Sequence, residues 1–254
     1  MTLEATMTDS TAAPLGGDVQ LRSDMGVELV KVSANDSDVV WAARVSTAGE
    51  ASLAALEEDP AASRGLINYL MRSRHGTPFE HNSFTFLVTA PIFVFREFQR
   101  HRVGWSYNEE SGRYRELAPV FYVPPPERAL QQVGKAGHYT FVPGTDEQHA
   151  VTAQATRSAY VAAYQAYRQM LGAGIAREVA RTVLPVGTYS SMYATCNARS
   201  LMAFLSLRTK REQSRFPSYP QREIELVAEQ MERHFAAAMP LTHAAFEEYG
   251  RVSP

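Results

Sequence analysis

Phe84-Thr85-Phe86-Leu87-Val88-Thr89-Ala90-Pro91-Ile92-Phe93-Val94-Phe95-Arg96-Glu97-Phe98-Gln99-Arg100-His101-Arg102 changes period part-way along. Phe84, Phe86 and Val88 alternate, which predicts a strand with one buried face, because successive side chains of a strand point to opposite sides. Pro91 suits the opening of a helix, and Phe93, Phe95 and Phe98 carry that helix to Arg100-His101-Arg102 at its C-terminal end. The same mixture extends outward in both directions. Upstream, Val27 to Val32 reads as a strand, and Asn35-Asp36-Ser37 can cap a short helix over Val39 to Val45. A second helix is expected over Ser63 to Arg74, with Leu66, Ile67, Leu70 and Met71 on one face. Thr77-Pro78-Phe79-Glu80 has the form of a capping box, with Thr as N-cap, Pro at N1 and Glu at N3.

Downstream, Pro124 to Asp146 reads as a long Pro- and Gly-rich excursion. Glu147 to Leu171 reads as a long helix, carrying Tyr160, Tyr164, Tyr167 and Leu171 at helical spacing and stopped by Gly172 and Gly174. Arg177 to Leu184 is expected as a short helix, Tyr189 to Thr195 as a strand and Ala198 to Arg208 as a helix. Thr209 to Pro220 has the character of a polar loop. A last long helix carries Ile224, Val227, Ala228, Met231 and Phe235 in one stripe. A few strands among several long helices define an α+β fold, a small mainly antiparallel sheet packed with helices, rather than a doubly wound sheet.

At 254 residues, 45% hydrophobic and 20% charged, the chain can bury a sizeable core. Residues 1–24 read as a flexible lead-in without periodicity, and 25–254 as a single domain. The formal net charge of −2 excludes a polyelectrolyte partner for the chain as a whole, so no nucleic acid is expected. No apolar stretch has the length of a bilayer span, and the acidic start of the chain is unlike a secretory signal. Cys196 is the single cysteine, so no internal disulfide can form, and a reducing, cytoplasmic setting is expected.

The chemistry is narrowed by what is missing. The chain has no Walker-type or dinucleotide-binding glycine loop, no H-E-x-x-H and no G-x-S-x-G elbow, and the spacing of His75, Glu80 and His81 matches no metal site; none is expected. What remains is arginine. Of 25 basic residues only Lys31, Lys135 and Lys210 are lysine, leaving 22 arginines, whose planar forks hold phosphate and carboxylate bidentately. Base composition of the gene explains such a total as well, so position decides. Arg100 to Tyr114 places three arginines, a histidine, two carboxylates, hydroxyls and two glycines between the Phe-rich helix and extended chain, a loop suited to one anion. Arg177 and Arg181 stand at i,i+4. Asn197 and Arg208 stand about three turns apart, hence on one face of an otherwise apolar helix. A guanidinium kept charged in a dry site can stabilise a developing enolate or imidate, whereas ordinary ion pairs with neighbouring acids would produce the same pattern for structural reasons.

Arg100-His101-Arg102 followed by Ser106, Asn108, Ser111-Gly112-Arg113-Tyr114 resembles the signature of the flavin-dependent thymidylate synthases. His75 to His81, Arg177 to Arg181 with Leu184-Pro185, and Asn197 to Leu201 through Leu207-Arg208 agree with it in order, over nearly the whole chain. The resemblance implies FAD held by Thr77, Arg100, His101, Arg102, Glu109, Asn197, Ala198 and Arg199. It implies dUMP held by Glu97, Arg100, Glu110, Ser111, Gly112, Arg113, Arg181 and Arg208, with Arg208 meeting the pyrimidine as the catalytic group. It further implies NADPH as reductant, methylenetetrahydrofolate as one-carbon donor, a homotetramer with shared sites, and no protein thiol as nucleophile, so that Cys196 is read as a buried strand-end residue. The chain departs from the family pattern by one additional residue between Arg102 and Ser111, by Glu97 where glutamine is expected, by Ala203 where some relatives carry asparagine, and by long loops at 131–146 and 209–220. The latter loop is expected to border the site. The alternative, an RNA or single-strand binder, would use the arginines interleaved with Trp105, Tyr107 and Tyr114.

Overall fold

The computed structural model describes residues 19–57, 60–135 and 138–254. In chain order the elements are β1 (Gln20–Arg22), β2 (Gly26–Ser33), α1 (Asp36–Ala48), α2 (Pro60–Arg72), β3 (Ser83–Pro91), α3 (Ile92–Phe98), β4 (Trp105–Glu109), β5 (Val120–Tyr122), β6 (Gln131–Lys135), β7 (His138–Val142), α4 (Asp146–Gly172), α5 (Arg177–Ala180), β8 (Tyr189–Cys196), α6 (Ala198–Arg208), α7 (Arg222–Ala238) and α8 (Pro240–Glu248). They form two compact units: Asp24–Ser111 with Tyr189–Pro254, and Gly112–Thr188 with the segment ending at Ser23. The α+β class and the small antiparallel sheet are as the sequence predicts. No helix among the described residues is long and apolar enough to cross a membrane.

The larger unit is built on an antiparallel sheet ordered β2-β3-β8-β4. Alternation dictates its two faces. Phe84, Phe86 and Val88 lie opposite Cys196, Ala194 and Met192, and all six are buried. Phe235 of α7 meets Phe84 edge-on at 6.0 Å, and Ile224, Val227, Ala228 and Met231 line the same buried stripe. The opposite face carries Thr85 against Thr195, with hydroxyls 3.0 Å apart, and Thr89 against Ser191. Asn35 and Asp38 form a reciprocal capping box on α1, while the neighbouring Asp36 carboxylate accepts from Leu241 N and Thr242 N, so one short acidic turn caps both α1 and α8.

In the smaller unit β1 pairs with β5 in parallel, and Phe121 of β5 stacks on Tyr160 of α4 at 4.7 Å. Thr145 and Gln148 cap α4 reciprocally. Gly187 lies under Tyr160 so closely that any Cβ would overlap its hydroxyl.

Several sequence expectations change. The lead-in over 1–24 lies outside the described residues up to residue 18, but Gln20–Arg22 is a strand because Gln20 N reaches Pro119 O at 2.7 Å. The capping box at Thr77 does not form. Gly76 is the N-cap of a single 3-10 turn, and the Glu80 carboxylate is drawn away to Arg199 at 2.5 Å. The stretch Arg100 to Tyr114 is not all loop, since Trp105 to Glu109 pairs with Cys196 to Met192 as an edge strand. The excursion to Asp146 contains the β6–β7 hairpin, and the helix expected from Arg177 tightens into a 3-10 turn at Arg181–Val183. β5 and α8 are additional to the sequence reading.

Phe235→Ala is expected to cost about 3–5 kcal/mol in the urea unfolding of the larger unit, the range for emptying a buried phenylalanine site. Val133→Ala, on an exposed hairpin position, should stay within about 0.5 kcal/mol.

Candidate active site

α3 ends at Phe98, and the chain turns back with His101 N on Phe98 O at 2.8 Å. The turn closes at Gly104, whose φ of 67° lies in the left-handed region and whose missing side chain leaves room for Ser200. Ser200 donates to Val103 O at 2.9 Å. Tyr107 secures the other side, its hydroxyl shared between the carbonyls of Phe98 (3.0 Å) and His101 (2.8 Å). Burial, then the neighbouring Cys196, push the Tyr107 phenol up, so it stays a donor.

Phe204 of α6 is the platform beneath this turn. Its ring stacks on Phe98 at 4.9 Å, takes His101 edge-on at 4.9 Å and lies 5.3 Å from Trp105. Asn197, Ser200, Phe204 and Arg208 therefore share one helix face, as their spacing requires. At the far end Arg208, its side chain 16% exposed, donates Nη1 to the Glu97 carboxylate, Nη2 to the Glu97 carbonyl at 3.3 Å, and Nε to His101 Nε2 at 2.9 Å. An acceptor at Nε2 requires a neutral imidazole. Burial first, and the Arg208 charge second, hold the His101 pKa down to about 4.

The expected site residues fall into three groups. Glu97, His101 and Arg208 are joined directly. Arg100 and Arg102, on either side of His101, are exposed, and their side chains have no hydrogen-bond or ionic partner among the described residues. The second group lies at the N-terminus of α6, where Asn197 caps the helix through Ser200 N at 2.8 Å and Asn82 accepts from Ala198 N at 2.8 Å. Arg199 points away from the Arg208 face. Its Nη1 pairs with Glu80 and its Nε donates to Pro254 O at 2.7 Å, over a Gly76 where a Cβ would displace the guanidinium; Thr77 follows, exposed. Glu109 ends β4, and Glu110 N continues the ladder to Ser191 O at 2.9 Å, leading into Ser111.

The third group belongs to the smaller unit. A Cβ on buried Gly112 would stand 3.2 Å from Arg181 Cδ and 3.0 Å from Leu117 Cδ1. Glycine thus lets the chain pass against Arg181. Arg113 pairs with Glu178 at 2.9 Å, both about half exposed, a pair worth only about 0–1 kcal/mol. Arg181 and Arg177 are exposed. Cys196 is buried between Phe84 and Trp105 in the sheet register, and burial drives its thiol well above its ordinary value. The residues that sequence reading passes over are Ser200, Phe204 as a platform, and Asn82. Continuing the i, i+3, i+4 series from Asn197 would have found the first two.

Residues 28–241 match the family described as thymidylate synthase complementing protein. The flavin-dependent thymidylate synthase of Streptomyces coelicolor is 67% identical, over 93% of this chain and 96% of that one. That of Tropheryma whipplei (strain TW08/27) is 57% identical, over 91% and 96%. Among solved structures, a UMP/dUMP methylase PolB from Streptomyces cacaoi bound with 5-Br dUMP superposes with a TM-score of 0.87 at 58% identity, covering 93% of this chain and 100% of that one. The chain belongs to the flavin-dependent thymidylate synthase family. It is an enzyme of that class.

The folded state keeps His101 neutral where the unfolded chain would protonate it, so this group's contribution to stability is complete above about pH 6.5 and is lost as pH falls through about 4. An NMR titration should place the His101 midpoint near 4. Arg208→Ala should raise the midpoint while leaving it below 6.5, because burial is the larger cause. A wild-type midpoint at 6.5 would show that Arg208 does not use the ring as an acceptor.

Proposed function

We propose that this enzyme converts dUMP to dTMP, taking the one-carbon unit from methylenetetrahydrofolate and using FAD with NADPH as reductant. The supporting observation is a fixed cation beside uncommitted ones. Arg208 is held half-buried by Glu97 and neutral His101, while Arg100 and Arg102, on either side of His101, present guanidinium forks without a partner among the described residues. A structural relative described as a UMP/dUMP methylase and solved with 5-Br dUMP supports the nucleotide.

The donor set fits an anionic dinucleotide. Among the described residues Arg100 and Arg102 have no acid to surrender, the Asn197 Nδ2 and Arg199 Nη2 groups make no hydrogen bond, and Gly76 lets the Arg199 guanidinium lie against the backbone. Thr77, Arg100, His101, Arg102, Glu109, Asn197, Ala198 and Arg199 would hold FAD, which supplies hydride storage when bound. For dUMP, Arg113 and Arg181 beside Gly112, with Ser111 and Arg100, take the phosphate. Glu110 and Glu97 orient the nucleotide. Arg208 lies where negative charge builds on the pyrimidine, and its fixed guanidinium favours the ionised ring that makes C5 nucleophilic. The family resemblance further implies a homotetramer, and we assign the complete site to such an assembly, in which neighbouring subunits contribute. Cys196 takes no part, because a buried thiol held protonated is a poor nucleophile.

Purified protein should carry the visible absorbance of oxidised flavin, and dUMP, methylenetetrahydrofolate and NADPH together should yield dTMP. Arg208→Ala should lower kcat by about 10²–10³-fold, the loss seen when one preorganised charge-stabilising donor is removed. Cys196→Ala should retain most of the activity. A folded Cys196→Ala protein without activity would overturn the thiol-free mechanism.

A further inference from the structure

Arg251 is a fully buried arginine that the proposed chemistry does not use. It stands at φ 58°, directly after Gly250 at φ 77°, so two successive left-handed residues end α8 and turn its side chain inward. Nη1 reaches the carboxylates of Glu232 (2.6 Å) and Glu247, Nη2 donates to Thr209 Oγ1 at 2.8 Å, and the guanidinium lies 4.9 Å over the Phe246 ring. Glu232 is also met by Arg211 at 3.2 Å and His243 at 3.1 Å. Burial alone would raise the Glu232 carboxyl, but hydrogen bonds from His243 and Arg251, with the charges of Arg251 and Arg211, outweigh it and hold it to about 2. Glu232, His243 and Glu247 bring their ligand atoms within 4.8 Å of one another, a spacing that suits a metal ion. The cation in that place is the arginine itself.

Stability is a weak explanation for this arrangement. Buried ion pairs can commonly be replaced by apolar groups without loss, and here the Arg251 Nε is left without a hydrogen bond. The geometry offers a better one. Thr209 immediately follows Arg208 and is buried as the C-cap of α6. Its hydroxyl donates to Leu205 O at 2.7 Å, so its lone pair is what receives Arg251. Lys210 N donates to Glu225 at 2.9 Å, and Ser218 Oγ donates to Thr209 O at 2.7 Å. The backbone just beyond Arg208 is thus fixed on several sides, while its guanidinium is fixed by Glu97 and His101.

We propose that Arg251 is a positioning residue: through Thr209 it sets the end of α6, and with it the place at which the Arg208 guanidinium meets the nucleotide. This rests on the dUMP reading above. The test is a double-mutant cycle on dUMP dissociation constants of the flavin-loaded protein, using Thr209→Val, Arg208→Lys and the pair. Thr209→Val should weaken dUMP about tenfold in the wild-type background and hardly at all beside Arg208→Lys, the non-additivity of coupled sites. Thr209→Ser, which keeps the hydroxyl, should bind as wild type. If Thr209→Val does not fold, Arg251→Lys enters the same cycle, since a single ammonium nitrogen cannot take the places of both Nη1, on the acids, and Nη2, on the threonine. Additive losses would overturn the proposal while leaving the dUMP reading intact. Absence of dUMP binding by the wild type would overturn both.

Discussion

A guanidinium cannot shed its proton, so a chain that half-buries one must supply acceptors around it. At Arg208 these are the Glu97 carboxylate, the Glu97 carbonyl and the His101 ring, and each demand propagates. His101 has to be neutral, hence desolvated, hence packed on Phe204. The ring must keep its place although it stands in a turn, hence the Tyr107 hydroxyl on the carbonyls at 98 and 101, and glycine at 104. The sheet topology makes this meeting possible. β3 and β8 are antiparallel neighbours, so α3 and α6 leave opposite ends of one strand pair and run towards each other until Phe98 stacks on Phe204 and Glu97 reaches Arg208.

The arginines sort by how firmly they are held. Arg251 is in a largely buried pair and Arg208 in a part-buried one, where removing one partner strands the other charge. Arg113 and Arg199 are in substantially exposed pairs, which cost little to break. Arg100, Arg102, Arg177 and Arg181 are exposed, with no acid bound to them among the described residues. A site for phosphorylated ligands needs the last two kinds at its phosphates and the first kind where charge develops during reaction. Phosphate binding tolerates a flexible fork, whereas stabilising a transition state requires a donor already in place.

Elements governed by local rules were legible in the sequence. Asn35 capping α1, the alternation at Phe84, Phe86 and Val88, and the stripe from Ile224 to Phe235 all depend on neighbours within a few residues. What escaped depends on partners far along the chain. Gln20–Arg22 becomes a strand only through β5, a hundred residues on, and Thr77 loses its capping role because Arg199 claims Glu80. The Arg208 contacts were half legible: the helix face followed from spacing, but the Glu97 and His101 acceptors required the sheet order that brings α3 to α6.

The stretch from Arg102 to Ser111 is fixed by register over most of its length. From Trp105 to Glu109 the chain pairs residue for residue with Cys196 to Met192, without a shift, and Glu110 N continues to Ser191 O. The ladder leaves no slack in that span, so the freedom of the stretch is confined to the Val103-Gly104 turn, where Val103 is 88% exposed and Gly104 supplies the left-handed conformation. Glu109 and Glu110 therefore keep their places on the sheet, whatever the length of the turn. What the turn leaves adjustable is the direction of Arg102, the residue just before it, because His101 is tied to Arg208 and Tyr107.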